Sequence, residues 1–304
     1  MDDNKIVVGV DGSPHADRAV RWAATRARRT GARLRLLHAY VVPVPAPAMP
    51  LAATTAGAVA PDDDLAKSGE AVLTAAADLA RHHATGVDVS TELRVGGAAP
   101  ALIDASADAG LIVVGSRGLG GFTGLLLGSV SVQVSAHAHC PTVVVRDQIP
   151  ATGPVVVGVN DSEPARAALT FAFAEARSLG TTVIAVHAWS WPLPTGVGDA
   201  AAAALANDDV RARYQQAARQ ILTDALTQCR QQHPDVPVDE RLTEAEPAEA
   251  LLEAAPEPAI VVVGSHGHGG FTGLLLASTS QSVLHHATCP VAVIHAGQAV
   301  PPHQ

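Results

Sequence analysis

Residues 111–131 read LIVVGSRGLGGFTGLLLGSVS. An apolar, largely β-branched run leads into Gly115, Gly118, Gly120, Gly121, Gly124 and Gly128, and then into Ser129 and Ser131. A short apolar run closed by glycine reads as a buried strand, and a serine after a glycine-rich loop reads as a helix start. The stretch therefore predicts strand, loop, helix. It returns as GSHGHGGFTGLLLASTS over residues 264–280, with 13 of 17 positions identical to residues 115–131 and an offset of 149.

Working outward, VVGVDGS at 7–13 returns as VVGVNDS at 156–162, His38-Ala39 as His187-Ala188, and Cys140-Pro141 as Cys289-Pro290. The offset is constant, so the 304 residues hold two tandem copies of one domain, at 1–148 and 153–298. The segment DQIPATG at 147–153 has linker composition.

Within the first copy, residues 6–10 read as a strand. Ser13 followed by Pro14 caps a helix that ends near Gly31. A second strand covers 34–39. The Pro- and Ala-rich residues 41–61 are too long for an ordinary connection and are expected to be mobile or functional. Asp62, Asp63 and Asp64 introduce a helix reaching about His83. Residues 87–95 read as a strand, 99–107 as a short helix, 111–114 as a buried strand, 129–137 as a helix and 142–145 as the last strand. The second copy repeats the plan, with strands near 155–159, 183–188, 238–242, 260–263 and 291–294. Short β-branched strands alternating with helices make a parallel, doubly wound α/β sheet in each copy.

Composition narrows the function. Apolar residues are 48% and aromatics 3%, so the cores are built from Val, Leu, Ile and Ala. The net charge of −9 argues against nucleic acid as a partner, which needs a basic face. The charge is uneven: residues 1–149 carry 13 basic and 14 acidic groups, and residues 150–304 carry 7 and 15. Three cysteines without a CxxC pair fit a reduced, cytoplasmic protein. The acidic start does not fit a signal peptide. The uncharged stretches 36–61 and 118–145 are broken by prolines or glycines, so no membrane span is expected.

Several familiar sites are excluded. The only lysines, Lys5 and Lys67, follow no glycine, so there is no Walker A loop. No nucleophile elbow and no HExxH appears. His137, His139 and Cys140, and likewise His285, His286 and Cys289, have irregular spacing for zinc; they read as a helix end and a cysteine entering a buried strand. Arg26, Arg28 and Arg29 read as an exposed helix end, and His82-His83 as a solvated one. Trp22, Trp189 and Trp191 read as packing residues, with the WSW stretch as an alternative cover for the second pocket.

In a doubly wound sheet the ligand lies at the carboxyl ends of the strands, where strand order reverses. Asp11 follows the first strand and the glycine loop follows the fourth. Glycines admit a ligand close to the backbone, and the helix start at Ser129 offers unpaired N–H groups and a positive dipole end. Together they form an anion cradle, with Arg117 as a possible added charge and Asp11 as an acceptor for ribose hydroxyls.

Gly115-x2-Gly118-x9-Gly128-Ser129 resembles the G-2x-G-9x-G-[ST] motif of ATP-binding universal stress proteins. The first-strand VGVDGS and the His-Cys-Pro before the last strand are similar to the same family, and the resemblance spans nearly the whole sequence twice. The protein thus resembles a tandem universal stress protein; its Ala- and Arg-rich, Lys-poor composition is of actinobacterial type. The resemblance implies five parallel strands in the order 3-2-1-4-5. It implies that Val10, Ala39 and Val114 line an adenine pocket, that Asp11 meets ribose and that Gly9 is among the residues that bind the nucleotide. Gly115, Arg117, Gly118, Gly128, Ser129, Val130 and Ser131 would hold the phosphates of ATP, with Mg2+. In the second copy the matching positions are Gly158, Val159, Asn160, Ala188 and Val263, then Gly264, His266, Gly267 and Ala277, and then Ser278, Thr279 and Ser280. The resemblance also implies pairing of the last strands, 142–145 with 291–294, inside one polypeptide or in a homodimer.

The second copy departs in three places. Asp11 becomes Asn160, Arg117 becomes His266 and Gly128 becomes Ala277. If position 128 needs positive φ or close approach to a phosphate, the methyl would cost about 1–3 kcal/mol. The first site is therefore expected to bind ATP more tightly. With no lysine, no acid–base pair and no based nucleophile by the loop, a regulatory ATP-binding protein is the leading reading. A slow ATP hydrolase or nucleotide-transfer enzyme using Asp11 and a divalent metal is the alternative, and an empty dimerising scaffold the third.

Overall fold

The structure is a computed structural model that describes residues 4–42, 62–119, 127–150, 152–190, 208–266 and 276–298. The Pro-rich stretch from 43 onward and Trp191 lie outside the described residues. The protein divides into two compact units, Met1–Val145 and Arg146–Gln304.

The first unit runs β1 (Lys5–Gly9), α1 (Pro14–Thr30), β2 (Arg33–Tyr40), α2 (Asp62–His83), β3 (Val89–Val95), α3 (Ala98–Ser106), β4 (Leu111–Gly115), α4 (Ser129–His137) and β5 (Thr142–Val145). Its strands are parallel in the order β3-β2-β1-β4-β5. The second unit runs β6 (Val155–Gly158), α5 (Glu163–Leu179), β7 (Val183–Trp189), α6 (Asp208–Gln232), β8 (Val238–Glu244), α7 (Pro247–Leu252), β9 (Ile260–Gly264), α8 (Ser278–His286) and β10 (Val291–Ile294). Its order, β8-β7-β6-β9-β10, is the same. Both units are the doubly wound α/β fold expected from the alternating pattern.

The same local signals build the first helix of each unit. Ser13 Oγ accepts the Ala16 N–H at 3.1 Å, and Ser162 Oγ accepts that of Ala165 at 3.3 Å. The helices stop at Gly31 and Gly180, which take left-handed φ values of 69° and 65°. The inner face of α1 is a stripe of small residues, Ala16, Ala19, Val20, Ala23 and Ala27, which lets the helix lie close on the sheet. Central strands such as β4 are buried on both faces and therefore read as continuous apolar runs.

Two expectations are corrected. Arg26 is not exposed: it is 3% accessible, and its guanidinium lies 5.9 Å from the Trp22 ring centre. Helical period places it on the stripe of Ala16, Ala19, Val20 and Ala23, and period decides burial here rather than charge. Burial, followed by the charge of Arg29, disfavours its charged form. The third strand begins at Val89, not at 87, because Gly86 takes φ 88° in the turn that leads into it.

Candidate functional site

β1 and β4 lie side by side, with Val8 in register with Val113. Beyond their ends β1 leads into α1 and β4 into the glycine loop, which opens a crevice at the point of strand reversal. The crevice has a volume of about 500 Å³. That falls within the roughly 300–1,000 Å³ of small-molecule sites. Asp11, Gly115, Arg117, Gly118, Gly128 and Ser129 line it, as do Gly9, Val10, Val114, Val130 and Ser131. Ala39 is not among the lining residues. Ala16, Ala98 and Leu102 are, and the sequence did not point to them. For Ala98 and Leu102 the only signal was an apolar face on a short helix, and for Ala16 the small-residue stripe of α1; neither says what the face covers.

The glycines have distinct physical reasons. A Cβ on Gly115 would stand 2.6 Å from the backbone carbonyl carbon and oxygen of His15, so this glycine lets β4 abut the start of α1. A Cβ on Gly9 would meet Leu102 Cδ1 at 2.8 Å, so Gly9 admits the leucine that lines the crevice. A Cβ on Gly118 would collide with Asp11 Oδ2. Gly128 is different. Its φ is −77°, and an added Cβ would meet nothing closer than 3.4 Å. Of the two conditions under which the methyl at this position would be costly, positive φ does not hold: Ala277 occupies the same place with φ −65° and the same helix-capping role. Both residues donate their N–H, at 2.8 Å, to the carbonyl that opens the loop, Ser116 O for Gly128 and Ser265 O for Ala277.

Hydroxyls and imidazoles tie the crevice together. Ser131 Oγ donates to Gly115 O at 2.7 Å, and Ser280 Oγ to Gly264 O at 2.6 Å, fixing the first helical turn to the strand end. His38 Nδ1–H donates to Val10 O and His187 Nδ1–H to Val159 O, both at 2.7 Å. This explains why a histidine recurs at the end of the second strand in each copy. Asp11 is engaged twice: Oδ1 accepts the Ser13 N–H and Oδ2 the Leu119 N–H, both at 3.0 Å. The first turn of α4 contains no acidic side group, so its N–H groups and positive dipole end are available to an anion from outside.

The second crevice is smaller, about 120 Å³. Gly158, Val159, Asn160, Ala188, Val263 and Gly264 line it, together with His266, Ala277, Thr279 and Ser280. Pro247 and Leu251 replace Ala98 and Leu102. Ser278 starts α8 but is not among the lining residues, and Gly267 lies outside the described residues. Asn160 Oδ1 keeps the bond from Ser162 N–H, at 2.9 Å. The turn itself differs. Gly12 takes φ 80°, whereas its counterpart is Asp161, and no non-glycine among the described residues has positive φ.

The cysteines lie in apolar surroundings. Burial pushes Cys140 up to about 12 and Cys289 up to about 11, and it also raises Cys229. No group of three His, Cys, Asp or Glu residues able to hold a metal occurs among the described residues. Native protein at pH 8 should therefore be unreactive to a thiol-exchange reagent over minutes, with three thiols per molecule appearing on denaturation. Stability carries the same signature. The folded thiols stay protonated while unfolded ones ionise near their ordinary value of 9.0, so stability should fall as pH rises from about 9 toward 11.

Fold and crevice together define two tandem doubly wound α/β units, each with a crevice at its strand-reversal point, and comparison with known proteins gives the family. The Universal stress protein family matches residues 4–146 and 152–295. A universal stress protein of Mycolicibacterium smegmatis is 38% identical over 295 residues, 95% of this chain and 96% of the relative. One from Mycobacterium tuberculosis strain H37Rv is 37% identical over 298 residues, covering 95% and 96%. The crystal structure of a universal stress protein from Archaeoglobus fulgidus superposes with a TM-score of 0.68 at 20% identity, covering 98% of this chain and 100% of that one. The protein belongs to the universal stress protein family, with two family domains in tandem.

Proposed function

We propose that the first crevice binds ATP and that the protein is a cytoplasmic, nucleotide-dependent regulator of the stress response. The observation that carries this reading is the about 500 Å³ crevice, lined both by the apolar Val10, Leu102 and Val114 and by the acid-free start of α4. That contrast suits a base at one end and phosphates at the other. Mg2+ fits the same place, because it keeps most of its waters and takes one or two carboxylates plus phosphate oxygens. Asp11 and Ser129 are the residues that would face it, and the ion would neutralise phosphate charge.

Hydrolysis through Asp11 is less well supported. Both carboxylate oxygens already accept a backbone N–H, which suits a fixed positioning group better than a base that moves. ATP should bind to the full-length protein without multiple-turnover phosphate release. Steady release that vanishes in Asp11→Ala while ATP binding persists would favour the enzyme instead. No helix among the described residues is long and apolar enough to cross a membrane. The proposal retains pairing of the last strands, 142–145 and 291–294, within one polypeptide or in a homodimer; light scattering of the purified protein distinguishes the two.

A further inference from the structure

We propose that Asp11 is a latch that holds Gly118 and Leu119, the start of the glycine loop, in place before any ligand arrives, and so couples ribose recognition to phosphate recognition. The inference rests on the nucleotide reading above, but its core can be tested without nucleotide.

The geometry is local. Asp11 Oδ1 takes the Ser13 N–H at 3.0 Å, which fixes the carboxylate on the turn after β1. Asp11 Oδ2 then takes the Leu119 N–H at 3.0 Å, a residue 108 positions away on the loop after β4. A carboxylate suits this double task, since both of its ends accept. Gly118 makes the approach possible, because a Cβ there would collide with Oδ2. The second glycine of the motif is thus required by a carboxylate of the same molecule, independently of any phosphate. Its φ is not in the left-handed region, so conformational freedom is not the reason. Two of the roughly four lone-pair positions of the carboxylate are used, and the others remain to accept hydroxyls. A ligand hydroxyl on Asp11 and phosphates on the loop would then share one anchor. Backbone already held at Gly118 and Leu119 also binds without first losing conformational freedom there.

The second unit carries Asn160 in place of the carboxylate, and the counterpart of Leu119 lies outside the described residues. Asn160 has one accepting oxygen, and it takes the Ser162 N–H at 2.9 Å. Its other terminal atom is an amide nitrogen, which donates and cannot accept a backbone N–H.

Asp11→Asn in the full-length protein is the test. Asparagine keeps the bond to Ser13 N–H and presents NH2 to Leu119 N–H, donor against donor. In ligand-free protein, hydrogen exchange at the Leu119 amide should accelerate about tenfold or more, with Ser13 unchanged. Titration with adenosine and with MgATP supplies the second readout. The latch predicts that ATP affinity falls at least about tenfold further than adenosine affinity. Simple electrostatics predicts the opposite sign, because removing a negative charge beside a triphosphate should favour ATP. Gly118→Ala, which pushes the carboxylate aside, should reproduce both effects, and combining it with Asp11→Asn should add little. Unchanged exchange at Leu119 overturns the latch. So does an equal loss for adenosine and ATP, which would leave Asp11 as a ribose contact alone. If the wild type binds neither ligand, the nucleotide reading fails and the coupling with it, while faster exchange at Leu119 in the variant would still establish the latch itself.

Discussion

Gly115→Ala should lower the stability of the first unit by about 3 kcal/mol, the upper part of the usual range for overpacking. The added methyl would lie 2.6 Å from both carbonyl atoms of His15 and 3.0 Å from Ala16 N. These are backbone atoms at the start of α1, whose Ser13 cap and buried alanine stripe leave it little room to withdraw. No rotamer change relieves such a clash. Gly128→Ala is the matched control: its nearest neighbours are at 3.4 Å and 3.5 Å, and alanine already stands at 277. Its stability should change by less than about 0.5 kcal/mol. Urea unfolding followed by circular dichroism reads both. A Gly115→Ala transition that coincides with wild type would show that the contact between β4 and α1 yields easily.

The second large effect concerns the inequality of the two crevices. The first site should bind MgATP about a hundredfold more tightly than the second, since two charge-assisted contacts at about 1.5 kcal/mol each would account for it. Arg117 brings a guanidinium, with its fork of N–H donors, to the crevice, whereas its counterpart is the smaller imidazole of His266. Asp11 is replaced by Asn160, and the volume falls from about 500 to about 120 Å³. The alanine at 277 does not contribute through backbone strain, because its φ of −65° is ordinary. Calorimetry on the full-length protein should therefore show one tight site per molecule. Arg117→His should bring that site toward the weaker one. Two equal sites would contradict the ranking.

Much of this was legible in the residues. Both sheets, their strand order and the place of the crevice followed from the alternating pattern, from the repeated glycine loop and from the family its spacing resembles. The limits of α2 were readable because Asp62–Asp64 and His82-His83 mark its ends in the way the helix dipole favours. What was not legible depends on tertiary juxtaposition. That Gly9 exists to admit Leu102, and Gly118 to admit the Asp11 carboxylate, requires knowing that α3 and the β4 loop meet the end of β1. Gly128 belonged to the motif and looked conformationally special, yet its backbone is extended. Arg26 was read by its charge when its position in the helical period decided its burial.

A crystal structure of the full-length protein grown with millimolar MgATP tests the central claim most directly. The account predicts a nucleotide between the ends of β1 and β4, its phosphates within hydrogen-bond distance of backbone nitrogens at the start of α4. Well-ordered crystals that show only solvent in that crevice, or a nucleotide bound elsewhere, would contradict it.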